Sequence, residues 1–265
     1  MGRISKTFNR LKKQKEKALI SFTVIGDPDY KTSLDIVKSM AEHSDLLELG
    51  LPFSDPIADG PTIQAADIRS LKAGINTDKA FSFVKDVRKF TDKPIGLLVY
   101  SNLIIQRGID KFYRDAASAG VDSVLAADIP VEEAGPFIKA GRKSKVDTVF
   151  FATPLTSVKR LKQTATKVRG FIYVVARLGV TGAKSQVHSD TISLLKRIRP
   201  HTKLPLAVGF GVSTPKHVKE IASAGADAII VGSAIVKIIE KNKNKKVMLQ
   251  KISTFVKSLK GATKD

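Results

Sequence analysis

Residues 204–239 read LPLAVGFGVSTPKHVKEIASAGADAIIVGSAIVKII, and their hydrophobic pattern is the clearest indication of the fold. Two apolar runs, at 204–210 and 228–232, enclose a segment of helical character at 215–222. Apolar residues follow one another within both runs instead of alternating with polar ones, which is typical of strands buried on both faces of a parallel sheet. The stretch therefore predicts one β-α-β unit of a parallel sheet.

Six more apolar runs precede this unit, and segments of helical character separate them. The runs lie at 19–26, 46–50, 94–100, 123–129, 147–153 and 171–177, and the helical segments at 32–42, 62–72, 80–90, 109–119, 131–142, 158–167 and 191–198. Eight β-α units in 265 residues predict an α/β fold, a single-domain (β/α)8 TIM barrel. A doubly wound open sheet is the rival, but Gly26-Asp27-Pro28-Asp29 after the first run lacks the glycine fingerprint of such a fold.

The two ends of the chain extend this barrel. Ile4, Phe8 and Leu11 are spaced as on one face of a helix, so residues 1–17 predict an extra N-terminal helix. Residues 234–265 predict a last long helix. Both ends are basic, with seven basic residues against one acidic in 1–17 and nine against two in 236–265. We expect one domain over residues 1–265.

Composition excludes several classes of protein. Without cysteine there is no disulfide framework, thiol nucleophile or thiolate metal site. No apolar run reaches the length of a membrane span, and the basic start lacks a signal-peptide cleavage site, so a cytoplasmic protein is expected. The net charge of +20 is interpreted as a solvated basic surface. Nucleic acid is not an expected partner, because the basic ends carry no aromatic platforms; a basic nucleic-acid-binding or scaffolding protein remains the alternative outside enzymes.

Catalytic groups of such a barrel lie at the C-terminal ends of its strands. Few charged residues are predicted there: Glu48, Asp128 and Arg177, with Asp59 in the loop after the second strand. The strands contain no lysine for a Schiff base, and the four histidines have no metal-ligand spacing, so no metal is expected. With a Schiff base and a metal site excluded, acid–base catalysis by carboxylates is the chemistry that the sequence predicts.

Each carboxylate has a functional and a structural interpretation. Leucines flank Glu48, so burial would raise its pKa and let it exchange protons near neutral pH; alternatively, a loop donor satisfies it. Asp59 is either catalytic or the N-cap of a helix that begins with Pro61. Asp128 is expected to orient backbone near the fourth strand.

Glycine-bearing loops follow the sixth, seventh and eighth predicted strands, at 179–182, 209–213 and 232–233. Glycines let a backbone approach an anion, and helix N-termini present N–H donors to it. Because the last two loops form the usual phosphate site of this barrel, a phosphorylated substrate is predicted. The polar segment 179–190 has the character of a mobile lid.

The run LELGLPFSDPIADGPTIQ at 47–64 closely resembles the signature of the tryptophan synthase alpha chain family. The resemblance extends through 22–28, 96–102, 122–130, 177–182, 209–215 and 232–240, and so covers essentially the whole chain. It implies a lyase of tryptophan biosynthesis that cleaves indole-3-glycerol phosphate to indole and glyceraldehyde 3-phosphate, without metal or Schiff base. The runner-up is another phosphate-binding barrel, either an indole-glycerol-phosphate synthase, which needs strand lysines, or a phosphoribosyl isomerase.

The resemblance also implies roles for individual residues. Glu48 would protonate indole C3 and take the side-chain hydroxyl proton, while Asp59 would accept the indole N–H. Matching positions imply further substrate-binding residues: Phe22, Leu98, Leu125 and Phe210 around the indole, Tyr100 and Tyr173 beside the substrate, Gly182, Gly211, Gly232 and Ser233 at the phosphate, and Thr181 closing the lid over Asp59.

The family works as an α2β2 tetramer, in which a β chain receives indole and joins it to serine. The resemblance implies that this chain pairs with such a β chain through residues 55–61 and the lid. Pyridoxal phosphate belongs to the β chain, so no cofactor is expected in this chain.

Overall fold

Eight parallel strands close into a barrel in the computed structural model, which describes residues 1–175, 189–209 and 211–264. Each strand pairs with its neighbours in chain order, and the last pairs with the first. The strands are β1 Ala18–Val24, β2 Leu46–Gly50, β3 Ile95–Val99, β4 Ser123–Ala126, β5 Asp147–Ala152, β6 Ile172–Val174, β7 Leu206–Gly209 and β8 Ala228–Val231. The predicted TIM barrel is confirmed.

Helices surround the barrel; the first precedes β1, the last two follow β8, and the others lie between successive strands along the chain. The helices are α1 Arg3–Lys13, α2 Tyr30–Ala41, α3 Pro61–Lys72, α4 Thr77–Arg88, α5 Ser101–Arg107, α6 Ile109–Ala119, α7 Gly135–Ser144, α8 Val158–Lys167, α9 Ser189–Ile198, α10 Pro215–Ser223, α11 Ser233–Lys241 and α12 Lys245–Gly261. A 3-10 turn, Arg199–His201, follows α9. No helix in the described part of the chain is long and apolar enough to cross a membrane.

The apolar strands are buried on both faces, which explains their lack of alternation. In β1, Leu19 packs outward against the helices, whereas Ile20 packs into the barrel interior. The extra helix α1 covers the N-terminal end of the barrel, where Ile4, Phe8 and Leu11 join the interior cluster. The first turn of α1 has no side-chain cap. We therefore attribute the stability of this helix to the burial of its apolar face.

Aspartates tie neighbouring strands together at the N-terminal face of the barrel. Asp45 accepts from the backbone N–H of Leu19, and Asp122 accepts from that of Ile95, each at 2.9 Å. Asp227 repeats the contact with the N–H of the first residue of β7, also at 2.9 Å. These carboxylates therefore serve the fold at the end of the barrel away from the predicted chemistry.

One helical prediction was wrong in detail, and one helix was not predicted. The single helix expected over 234–265 is divided into α11 and α12, because Asn242 is extended and Asn244 caps α12 by accepting from the N–H of Val247 at 3.1 Å. Residues 101–107 form a helix that was not predicted. Gly108, at φ +84°, separates it from α6.

Candidate active site

Glu48 is the third residue of β2 and pairs in register with Phe22 of β1 and Gly96 of β3. Its side chain is buried, and its Oε2 atom has no hydrogen-bond partner among the described residues. Burial, with a smaller contribution from the negative charge of Asp59, raises the pKa of Glu48 to about 8. The alternative of a glutamate satisfied by a loop donor is therefore wrong for the described part of the chain.

Asp59 lies in the loop between β2 and α3 and is held by Tyr100, which directly follows β3. The Tyr100 hydroxyl donates to Oδ2 of Asp59 at 2.7 Å and accepts from the N–H of Ala58 at 3.1 Å. Burial raises the pKa of Asp59, and the hydrogen bond from Tyr100 opposes that rise. Gly60 is the N-cap of α3, and no side chain caps that helix, so the N-cap interpretation of Asp59 was wrong.

Gln64, in the first turns of α3, holds the same loop and was not identified from the sequence. Its Nε2 donates to the carbonyl oxygen of Asp59 at 2.9 Å and to that of Pro56 at 3.5 Å. Asp67, one turn further along, is buried, and burial with the charge of Asp59 raises its pKa to about 8. The sequence signal that could have identified Gln64 is a polar side chain near the start of the helix that follows the Asp59 loop.

An apolar pocket opens beside Asp59. Its walls include Phe22, Leu98 and Tyr173 from three strands, together with Ile63 of α3. The buried Leu125 belongs to the barrel-interior cluster that Leu98 and Tyr173 pack against, and it does not line the pocket itself. Burial, with Glu48 and Asp59 nearby, raises the pKa of Tyr173 well above its usual value, so its hydroxyl stays protonated.

Glycines make room for the aromatic rings of this pocket. A Cβ atom at Gly50 or at Gly232 would lie 2.9 Å from a ring carbon of Phe22. A Cβ atom at Gly209 would lie 2.6 Å from ring carbons of Tyr173. Real Cβ contacts are not this short, so any larger residue would displace a ring. These glycines are therefore required by the shape of the pocket.

Three of the predicted phosphate-binding residues line the same pocket. Gly211, Gly232 and Ser233 line it, and Gly211 has a φ of +65°, which favours glycine. Ser233 is the first residue of α11, whose first turn has no side-chain cap. Free N–H groups at such a helix start bind phosphate well. Predictions for Arg177, Thr181, Gly182, Phe210 and the lid as far as residue 188 lie outside the described residues.

Asp128, the remaining carboxylate predicted from the sequence, serves the fold. Asp128 lies beyond the end of β4 and is exposed, and it accepts from the N–H and the hydroxyl of Ser101, both at 2.7 Å. It therefore orients the start of α5.

The described strands contain no lysine, which the alternative indole-glycerol-phosphate synthase requires. Within the described residues, no three His, Cys, Asp or Glu side chains are grouped to hold a metal.

Comparison with known proteins identifies relatives along the whole chain. A sequence model of the tryptophan synthase alpha chain family matches residues 8–264. The chain is 49% identical over 247 residues to the tryptophan synthase alpha chain of Methanothermobacter thermautotrophicus, covering 92% of each chain. It is 47% identical over 264 residues to that of Methanoregula boonei, covering 99% of this chain and 98% of the relative.

Solved structures agree with these relatives. A structure from Aquifex aeolicus superposes with a TM-score of 0.90 at 37% identity and covers 100% of both chains. A chain of the tryptophan synthase complex from Pyrococcus furiosus superposes with a TM-score of 0.85 at 36% identity, covering 93% of this chain and 99% of that one. The chain belongs to the tryptophan synthase alpha chain family.

Proposed function

We propose that this chain cleaves indole-3-glycerol phosphate to indole and glyceraldehyde 3-phosphate, with Glu48 and Asp59 as its two catalytic carboxyl groups. The lyase reaction belongs to the family. One observation carries the assignment of the residues: a buried glutamate with an unpartnered oxygen and a pKa of about 8 near an aspartate held by a tyrosine. Such a glutamate can both give and take a proton near neutral pH.

Glu48 carries the proton transfers in this mechanism. A pKa of about 8 leaves about nine in ten of these carboxyl groups protonated at pH 7. The neutral carboxyl donates its proton to C3 of the indole ring. The resulting carboxylate takes the proton of the hydroxyl on the adjacent side-chain carbon. The bond from that carbon to C3 then breaks, its electron pair returns to the indole ring, and the hydroxyl becomes the aldehyde of glyceraldehyde 3-phosphate. Glu48 ends as it began, protonated.

Asp59 stabilises the charge that this sequence creates. Protonation at C3 places positive charge on the indole nitrogen, and an ionised Asp59 accepts the hydrogen bond from that N–H. The hydroxyl of Tyr100 favours the ionised form of Asp59 by donating to it at 2.7 Å. Tyr100 and Gln64 are positioning residues, since they fix the carboxylate and the carbonyl of the same residue.

The pocket is proposed to orient the substrate through apolar contacts to the indole and glycine-rich contacts to the phosphate. The proposed indole contacts are Phe22, Leu98, Leu125, Phe210 and Tyr173, and the proposed phosphate contacts are Gly182, Gly211, Gly232 and Ser233. Support comes from the shared lining, because Phe22, Leu98, Tyr173, Gly211, Gly232 and Ser233 surround one pocket with Asp59. Thr181 is proposed to close the lid over Asp59.

A tryptophan synthase β chain is the proposed partner, in an α2β2 tetramer. Related structures are of tryptophan synthase complexes, including an α2β2 complex from Pyrococcus furiosus. The loop at 55–61 supports this proposal, since Ile57 is 80% exposed and an apolar side chain at that exposure suits an interface. Pyridoxal phosphate acts in the β chain of this family. The proposed compartment of this biosynthetic enzyme is the cytoplasm.

Steady-state kinetics of Asp59→Asn and Glu133→Gln test the residue assignment. Asp59→Asn keeps the shape of the side chain but removes its charge, so we expect kcat to fall by about 10²–10⁴ with a smaller change in KM. Glu133→Gln removes an exposed carboxylate from the loop before α7 and should leave both parameters unchanged. Wild-type turnover by Asp59→Asn would overturn the role of Asp59.

A further inference from the structure

A second cavity opens at the N-terminal face of the barrel, beside the first turn of α1. We call it the basal cleft. It has a volume of about 610 Å³, and none of its lining residues lines the candidate active-site pocket. Apolar residues contribute to it, including Val146, Val168 and Leu204. Its basic lining residues are Arg3, Arg142, Lys145 and Arg169.

The basic residues of the basal cleft are largely unpaired. Within the described residues, the side chains of three arginines contact no hydrogen-bond acceptor and no carboxylate: Arg114, Arg142 and Arg169. Two of these, Arg142 and Arg169, line the basal cleft. Lys145 also has no carboxylate within 4.0 Å in the described part of the chain. All three basic residues of the cleft outside α1 are exposed, so they are accessible to a ligand.

Two carboxylates also line the basal cleft, and each has a cation close by. Asp122 is held by Arg3 at 3.2 Å and by Arg88 at 2.5 Å, and it accepts from the N–H of Ile95 at 2.9 Å. Asp147 is half-buried at the start of β5, and the charge of Arg169 acts on it. With Asp122 balanced by its two arginines and Asp147 set against Arg169, the charges of Arg142 and Lys145 remain as the positive excess of the cleft.

We propose that the basal cleft binds a small anion that carries two or more phosphate groups. Arginine presents a fork of donors that matches phosphate oxygens, and the two unpaired arginines and Lys145 stand around one cavity. A volume of about 610 Å³ is in the range of small-molecule sites and exceeds what one phosphate fills. The apolar lining can take an organic group attached to the phosphates. This site is independent of the proposed catalytic function.

Isothermal titration calorimetry of the whole chain tests the proposal, with inorganic pyrophosphate in one arm and ADP in the other. Titrations are made at low ionic strength, about 20 mM, because exposed charges are screened at higher salt. The arginine variants described below lie outside the candidate active-site pocket, so they separate binding at the basal cleft from any binding at that pocket. We expect one bound anion per chain in the basal cleft. Tighter binding of ADP than of pyrophosphate assigns the apolar lining to an organic group, and equal binding assigns the site to the phosphates alone.

Variants locate the bound anion. The double variant Arg142→Gln with Arg169→Gln should weaken binding at least about tenfold, since each exposed cation contributes modestly and both are removed. Arg114→Gln, which removes an exposed and equally unpaired arginine on α6, should leave the affinity unchanged. Asp147→Asn should tighten binding by removing a repelling carboxylate. The absence of binding to the wild-type chain, or equal binding by wild type and the double variant, would overturn the proposal.

Discussion

Replacing Glu48 with glutamine should make the stability of the protein less sensitive to pH while abolishing turnover. The ordinary pKa of a glutamate is 4.5, whereas burial raises that of Glu48 to about 8 in the folded chain. Between these two values the native state holds a proton that the unfolded state has lost. Stability therefore falls as pH rises through this window, and it is highest below pH 4.5 for this group alone.

The size of the effect follows from the two pKa values. Between pH 5 and pH 8, the titration of Glu48 lowers the free energy of unfolding of the wild type by about 3.5 kcal/mol. Glu48→Gln has no titrating group at this position and should not lose that increment. The difference in stability between variant and wild type should thus change by about 3.5 kcal/mol in favour of the variant over this pH range.

Urea unfolding followed by circular dichroism, at four pH values from 5 to 8, measures this difference. Burying the amide of the Glu48→Gln variant costs the same free energy at every pH. This cost cancels when the change in the free energy of unfolding with pH is compared instead of its absolute value. Glu133→Gln controls for loss of an exposed carboxylate. A stability difference between Glu48→Gln and wild type that stays constant from pH 5 to pH 8 would refute the burial and elevated pKa on which the acid–base role of Glu48 rests.

Three further substitutions test the surroundings of the two carboxylates. Tyr100→Phe removes a hydrogen bond that lowers the pKa of Asp59. We therefore expect kcat to fall about tenfold and the acid limb of the kcat/KM pH profile to move to higher pH. An acid limb that does not move would contradict the contact between Tyr100 and Asp59. Gln64→Met frees the carbonyl of Asp59 and should lower kcat severalfold with little loss of stability, which kinetics and urea unfolding together measure. Gly209→Ala places a Cβ atom about 2.6 Å from the ring of Tyr173, so KM should rise about tenfold. An unchanged KM would mean that the ring is not fixed as described.

The architecture could be predicted from the sequence because burial on both faces leaves a strong pattern. Runs such as 46–50 and 228–232 have few polar residues to interrupt them, and their order along the chain determines the barrel. The division of the last helix was missed because it depends on the local competition of Asn242 and Asn244 with the helix backbone, in a stretch where the apolar spacing continues.

The candidate site could be predicted from the sequence as a set of residues and not as a set of contacts. Glu48 and Asp59 are candidates because charged residues are few at the predicted strand ends. The hydrogen bond from Tyr100 to Asp59 joins residues 41 positions apart, and no local pattern indicates it. The steric role of Gly209 likewise depends on the ring of Tyr173 in the neighbouring strand, which only the register between β6 and β7 brings into contact.

This chain is proposed to cleave indole-3-glycerol phosphate and to do so faster with a β chain. Indole release by the purified chain, alone and with a tryptophan synthase β chain from a relative, measures both parts directly. We expect slow release by the chain alone and a rate at least about tenfold higher with the β chain, because closure of a site around its substrate commonly limits such enzymes. No indole from folded protein in either condition would contradict the proposed function.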